Sequence, residues 1–133
     1  MSRFKKIIED RRGQALVELA LILPLLILLL MGTIEFGRIF HSYLIITNAS
    51  REGARAGIIG KTDTEIRTLV KEVTASLEIP DSQISITPEQ SSRTRGVPIT
   101  VSVNYSVNLI TPLLQTFATN PFPIKAATTM RVE

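Results

Sequence analysis

Residues Leu19–Ile34 form a run of 16 residues without a charged side chain, and extension back to Ala15 adds only Glu18 as an interruption. About 20 helical residues, each rising ~1.5 Å, cover the ~30 Å hydrocarbon core of a bilayer. A helix with Leu and Ile on every face has too few neighbours in a chain of 133 residues to be covered by protein. The run therefore predicts a membrane-spanning helix over about residues 15–34. We expect Pro24 to kink this helix without breaking it, because its freed carbonyl partner can be satisfied locally in lipid.

The chain before the run is basic, which predicts the orientation of the helix. Residues 1–13 carry five basic and two acidic side chains, whereas residues 14–133 carry ten of each. Positive charge on this flank keeps the N-terminus in the cytoplasm and sends residues 36–133 outward. A secretory signal peptide begins in the same way, but Met31–Phe36 is a poor cleavage site for one. The run is also longer than the usual apolar region of a signal peptide.

Charge and composition exclude several classes of function. The formal net charge of +3 comes from the first 13 residues, so we expect no nucleic-acid surface, which needs clustered Lys and Arg. The chain has no Cys, which excludes disulfides and thiolate sites, and its single His41 excludes a site with two imidazoles. No Gly-rich phosphate loop or nucleophile elbow is present. We therefore expect no enzyme activity, no metal site and no cofactor.

Glu18 lies one turn inside the predicted apolar helix. Insertion of an ionised carboxylate into hydrocarbon costs about 3 kcal/mol at the bilayer centre and less near the interface. One interpretation is that this carboxylate is interfacial and hydrated. The other follows from Gly13, five positions earlier, because glycine suits the close backbone approach that a protease requires. Cleavage after Gly13 would give Gln14 a free amine. That cation would neutralise Glu18 of a neighbouring chain when the helices pack together.

The segment from Gly13 to Glu18 resembles the prepilin peptidase site of type IV pilin-like proteins, in which Gly precedes the cut and Glu is the fifth residue after it. A longer stretch resembles the start of the TadE-like pseudopilins of tight-adherence (Tad) pilus systems. This resemblance covers residues 12–57 and is carried by the blocks RGQALVELALILPLL, GTIEFGR and TNASREGAR. The sequence departs from the processing motif at Leu19, where this pilus system often has an aromatic residue.

The helical pattern continues past the apolar run and predicts one long helix over residues 14–60. Ala49, Gly53 and Gly57 recur every four residues along it, which places small side chains on a ridge where another backbone can approach. The alternative is that these glycines only loosen the end of the helix. Gly60 is the expected stop.

Residues 61–133 predict a small extracytoplasmic domain. Thr62–Glu65 is a capping box that precedes apolar residues at helical spacing, and Pro80 ends this amphipathic helix. Alternating apolar and polar residues predict three strands, and Thr111-Pro112 is the possible start of a short helix. The predicted strands are Gln83–Thr87, Ile99–Val107 and Ile124–Val132.

The fold class predicted is α+β: a long N-terminal membrane-spanning helix that extends outward, then one amphipathic helix on a three- or four-stranded antiparallel sheet. About 70 residues without a disulfide or metal form only a marginal core, so we expect the domain to lean on the long helix, on neighbouring subunits, or on both. Arg93 and Arg95 lie in a polar loop between the first two strands. We expect both to be solvated, with a contact to acidic groups of a partner as the alternative.

The resemblance to TadE-like proteins implies a minor pilin-like subunit with a leader over residues 1–13, cut between Gly13 and Gln14. It also implies prepilin peptidase, other pilin and pseudopilin subunits and the assembly platform as partners. The pairing with the new amine predicts an assembly role for Glu18. Membrane lipid is a further expected partner, and nucleic acid is not. We expect a single-pass protein of the cytoplasmic membrane with its C-terminal domain outside. The alternative is an uncleaved anchor that displays a small protein-binding domain, although such an anchor has no reason to keep a carboxylate five residues after a glycine.

Overall fold

A computed structural model of the chain describes residues 11–133, and the first ten residues of the predicted leader lie outside this range. Helix α1 spans Arg11–Ile58 and continues through Pro24. The turn that follows the helix contains Gly60, whose φ of +86° lies in the left-handed region that favours glycine. The N–H of Lys61 then donates to the carbonyl of Ala56 at 3.2 Å, which satisfies a terminal carbonyl of the helix. The predicted long N-terminal helix is therefore confirmed.

The chain divides into two compact units. The first ends at Phe36, and within the described residues it consists of the N-terminal part of α1. The second unit, Gly37–Glu133, contains the remainder of α1 and all of the later elements. The C-terminal part of the long helix thus belongs to this second unit, which we name the outer domain after the orientation predicted from the basic flank.

Helix α2, Asp63–Val73, begins at the predicted capping box. The Glu65 N–H donates to Thr62 Oγ1 at 3.3 Å, and the Thr62 N–H donates to Glu65 Oε2 at 2.8 Å. Hydrogen bonds from the backbone and hydroxyl of Thr62 hold the pKa of the Glu65 carboxyl below its usual value of 4.5. Two donors at the start of the helix are therefore satisfied by the side chains of the box itself.

Three strands form an antiparallel sheet in the order β1-β2-β3. Their bounds are β1 Ile84–Thr87, β2 Pro98–Val107 and β3 Phe122–Arg131. The register pairs Ile86 with Val101 and Val103 with Ala126. The predicted α+β fold is confirmed, with three strands whose ends differ from the predicted ones by at most two residues.

One face of this sheet carries the core of the outer domain. Because side chains alternate between the faces of a strand, the apolar residues predicted by the alternation all point the same way. The core residues from the three strands are Ile84, Ile86, Ile99, Val101, Val103 and Ala126. Helices α1 and α2 cover them with Ile46, Ala49, Ala54, Ala56, Ile66 and Val70.

Arg93 corrects the expectation that the polar loop is solvated. Its side chain is only 6% exposed and forms an ion pair with Asp63, and its Nε donates to the carbonyl of Pro88 at 3.0 Å. A long guanidinium can lie along apolar surface while its head reaches an acceptor in another element, and the first turn of α2 supplies that acceptor here. The loop before β2 is thereby fastened to the helix. Arg95, in contrast, lies in an exposed position.

Candidate functional site

The N-terminal part of α1 presents apolar side chains in every direction. All 18 residues from Gln14 to Met31 are exposed. Leu16, Leu21, Leu25 and Leu29 each expose 65% or more of their surface. A core helix of a soluble domain would bury such side chains, so this segment requires an apolar medium or other apolar helices around it.

The same segment has the length and composition of a membrane span. Its most apolar stretch has a mean hydropathy of 2.6, and none of that stretch is buried. Pro24 lies inside it without ending the helix, and the side chain of Thr33 donates to the carbonyl of Leu29 at 2.9 Å. Polar groups on this helix thus find partners within the helix, as hydrocarbon requires. The chain has the character of a single-pass membrane protein.

Gly13, Gln14 and Glu18 lie together in the first turns of this apolar helix. The side-chain amide of Gln14 donates to Glu18 Oε1 at 3.2 Å, from one turn away on the same face. The carboxylate therefore has a neutral hydrogen-bond partner in the uncut chain. The i,i+4 spacing of Gln and Glu on a helix is the sequence signal from which this contact can be predicted.

The small residues of the outer part of α1 form a seam against the sheet and α2. Ala49 is fully buried, and a Cβ on Gly53 would lie 2.9 Å from Val70 Cγ2 and 3.0 Å from Val101 Cγ1. A Cβ on Gly57 would overlap Ile99 Cδ1. The ridge predicted from the sequence thus packs against the chain's own domain. Its use against another subunit stays a prediction.

A pair of hydroxyl groups joins the same part of α1 to the sheet. Ser50 is fully buried, and its Oγ lies 2.9 Å from the carbonyl of Thr47 and 2.8 Å from Thr128 Oγ1 of β3. This hydrogen bond favours one position of the helix on the sheet, because displacement would break the bond between the two hydroxyls and leave Ser50 only the carbonyl of Thr47 in its own helix. No short pattern in the sequence predicts this contact, which joins residues 78 positions apart.

Within residues 11–133 no group of three or more His, Asp or Glu side chains is placed to hold a metal ion. Side-chain contacts here serve the fold: Lys71 Nζ lies 2.8 Å from Asp81 Oδ1, and this hydrogen bond lowers the pKa of the Asp81 carboxyl. The chemistry that the described arrangement can perform is association through apolar helices, with one carboxylate inside the apolar segment.

The described residues thus combine an exposed apolar N-terminal helix with a small α+β domain on which the C-terminal part of the same helix packs. Residues 13–55 of the chain match the model of the family described as TadE-like protein. This confirms the predicted resemblance to a TadE-like pseudopilin of Tad systems and indicates a pilin-like protein associated with a Tad pilus. The match begins at Gly13, directly before the predicted cut, and ends at Arg55, between Gly53 and Gly57 of α1. Neither the curated proteins nor the solved structures provide a match to the chain.

Proposed function

We propose that this chain is a minor pilin-like subunit, a pseudopilin, that prepilin peptidase cuts after Gly13 and that supports assembly of a Tad-type pilus. The observation that carries the proposal is the position of Gly13 and Glu18 in the first turns of α1, where residues 14–31 are all exposed, inside the region that matches the TadE-like family. The family is a structural one, which agrees with a role in assembly.

In the proposed processing step, water hydrolyses the amide bond between Gly13 and Gln14. The leader leaves with the Gly13 carboxylate, and Gln14 keeps the new amine, which is protonated at neutral pH. This amine then stands at the end of an apolar helix, four residues before a carboxylate. Opposite charges attract strongly where water is scarce, so the amine of one chain pairs with Glu18 of its neighbour and sets the stagger between their helices.

The apolar helix serves twice in this proposal. It first spans the cytoplasmic membrane as a single pass, with the leader inside and the outer domain outside, as the basic flank predicts. It then packs against helices of other pilin subunits, which cover the same Leu and Ile side chains. The prepilin peptidase, the other subunits, the assembly platform and membrane lipid are the partners of this cycle. Cell adhesion by the pilus is the expected outcome for the cell.

The experiment that tests the proposal is intact-mass analysis of the membrane-extracted protein, from cells with and without the cognate prepilin peptidase. We expect a peptidase-dependent loss of Met1–Gly13 that leaves Gln14 as the first residue. A full-length protein in both samples would refute the processing step.

The hydrogen bond from Gln14 to Glu18 favours a second candidate, an uncleaved single-span anchor that displays a protein-binding domain. Because the amide of Gln14 already lies 3.2 Å from the carboxylate, Glu18 has a partner without any cleavage. In this case the mass is that of the full chain, and replacement of Glu18 affects the stability of the helix in the membrane without affecting pilus assembly. The mass measurement therefore separates the two candidates.

A further inference from the structure

Three exposed apolar side chains follow β2, and the proposed function does not use them. Helix α3 spans Pro112–Phe117. The three side chains are Ile110, just before the helix, and Leu113 and Phe117 within it, and they are 67%, 45% and 81% exposed. Elsewhere in residues 37–133 the exposed large apolar side chains are Phe40, Tyr43, Leu44 and Ile59. A small domain gains stability by burying such side chains, so their exposure calls for a partner.

The segment that carries them is held in place by hydrogen bonds. The N–H of Leu109 donates to Asn120 Oδ1 at 3.1 Å, which closes the loop at its base. The side chain of Gln115 donates to the carbonyl of Leu109 at 2.8 Å. Leu109 and Thr111 are buried, whereas Ile110 between them points outward. The apolar side chains are therefore displayed by an ordered loop.

Arg38 fixes where this loop lies on the outer domain. Its Nη1 donates to the carbonyl of Asn108 at 3.2 Å, which attaches the base of the loop to the first turn of α1 in this unit. Arg38 comes four residues after Ile34, the last residue of the apolar run, and four residues extend by at most about 14 Å. Phe40 and Tyr43, with 62% and 44% exposure, follow on the same part of α1. Tyr, like Trp, is enriched at membrane–water interfaces, where its ring lies at the level of the headgroups.

The loop also lies in a long stretch without charge. No Asp, Glu, Lys or Arg occurs between Arg95 and Lys125. A segment that enters the boundary between lipid headgroups and acyl chains must avoid ionised groups, since their desolvation is costly. Three side chains are too few for a stable contact between two proteins, which buries about 1,000 Å² or more. A lipid surface, in contrast, needs no matching protein partner, and the predicted span ends four residues before Arg38 in the sequence.

We propose that Ile110, Leu113 and Phe117 form a second membrane contact, in which the α3 loop inserts its apolar side chains into the lipid interface. This inference rests on the proposed membrane insertion of α1. The contact fixes the outer domain against the outer surface of the bilayer before assembly. Extraction of the subunit from the membrane must release it.

Depth-dependent fluorescence quenching tests this contact, because the chain has no Trp and accepts a single reporter. The full-length protein is reconstituted in phosphatidylcholine and phosphatidylglycerol vesicles, with or without bromine on the acyl chains. The three reporter variants are Phe117→Trp in the loop, Leu26→Trp in the span and Ile59→Trp as the exposed control. Ile59 is 66% exposed and lies about 30 Å from Arg38 along the helix. Hydrogen exchange of the sheet amides verifies that each variant is folded.

We expect brominated lipid to quench most of the emission of Leu26→Trp and Phe117→Trp and little of that of Ile59→Trp. Quenching of Leu26→Trp without quenching of Phe117→Trp would overturn the second contact and leave the membrane span intact. An unquenched Leu26→Trp would overturn both the span and the contact. Emission of Phe117→Trp that ignores bromine but shifts to longer wavelength when the protein is diluted in lipid would assign the patch to a second copy and overturn the lipid contact.

Discussion

The side-chain amide of Gln14 donates a hydrogen bond to the carboxylate of Glu18 one turn further along α1, with 3.2 Å between Nε2 and Oε1. The residue that becomes the N-terminus after the proposed cut thus already lies on the same helix face as the carboxylate. Before cleavage a neutral amide shields Glu18, and after cleavage a cation on the same residue becomes available to a neighbouring chain. This relationship leads to the first two predictions.

Replacement of Gly13 by Leu should block processing, because a branched side chain prevents the close backbone approach that the peptidase needs. The matched control is Gly32→Leu on the same helix, where a Cβ meets no atom within 4 Å. Intact-mass analysis should show a retained leader in the first variant and a normal cut in the second. Normal processing of Gly13→Leu would place the cut elsewhere.

Replacement of Glu18 by Val should permit membrane insertion and cleavage but remove most pilus assembly, because the new amine of a neighbour loses its charge partner. Glu18→Gln separates charge from hydrogen bonding, since its amide still pairs with Gln14 but carries no charge. We expect Glu18→Gln to assemble as poorly as Glu18→Val, measured by pilus yield from sheared cells. Normal piliation by either variant would argue against the amine pairing.

Addition of a methyl group at Gly53 should loosen the outer domain. A Cβ there lies 2.9 Å and 3.0 Å from the methyls of Val70 and Val101, whose branched side chains are stiff at χ1. We expect Gly53→Ala to lower the free energy of unfolding by about 1–3 kcal/mol. Gly37→Ala, where a Cβ meets nothing within 4 Å, should instead be neutral or raise it by up to about 1 kcal/mol. Hydrogen exchange of the sheet amides measures both, and equal protection in the two variants would contradict the tight seam.

The ion pair between Arg93 and Asp63 should contribute more than the exposed pair between Arg55 and Glu52. The Arg93 side chain is 6% exposed, whereas Arg55 is 72% exposed and its Nη1 lies 3.9 Å from Glu52 Oε1. A double-mutant cycle with Arg93→Leu and Asp63→Asn should give a coupling of about 1–3 kcal/mol. The corresponding cycle at Arg55 and Glu52 should give about 0.5 kcal/mol or less. A coupling energy for Arg93 and Asp63 no larger than that for Arg55 and Glu52 would show that the ion pair does not stabilise the position of the loop on α2.

Acidification should weaken the outer domain through Glu65 and Asp81. The backbone and hydroxyl of Thr62 lower the pKa of Glu65, and the hydrogen bond from Lys71 lowers that of Asp81. A carboxyl with a lowered folded-state pKa stabilises the fold above its ordinary value, here 4.5 and 3.8, and loses this contribution as the pH falls through the folded value. We expect the urea concentration at the midpoint of unfolding to decrease as the pH is lowered below 4.5. The decrease should be smaller in Glu65→Gln than in the unsubstituted protein.

An unchanged acid dependence in Glu65→Gln would show that the capping box does not contribute to the pH response. The urea midpoint of this variant at neutral pH provides the reference, because the substitution also weakens the box itself.

The elements that follow from local patterns are predictable from the sequence. The charge-free run from Leu19 to Ile34 predicts an exposed apolar helix, and the Thr62–Glu65 box predicts where α2 begins. Period-two alternation predicts the three strands and the face that each buries. The small-residue ridge at Gly53 and Gly57 is visible too, but helical spacing alone does not say whether it meets another subunit or the chain's own sheet.

The contacts that join distant parts of the chain are decided by the tertiary structure. The polar sequence around Arg93 predicts a solvated side chain, but the fold places the loop beside Asp63, 30 positions earlier, and the two form an ion pair. The hydroxyls of Ser50 and Thr128 meet only because β3 lies under α1, and the α3 loop lies beside Arg38 only because β2 ends there.

By itself, therefore, the sequence determined which segment must leave water, where its elements begin and which strand faces are apolar, because hydrophobic periodicity and capping act over a few neighbouring residues. Only the tertiary structure decided what the small ridge packs against, that Arg93 is buried and that the base of the α3 loop lies against Arg38. Those outcomes depend on which atoms meet across 30 to 78 residues, and no local pattern encodes such a meeting.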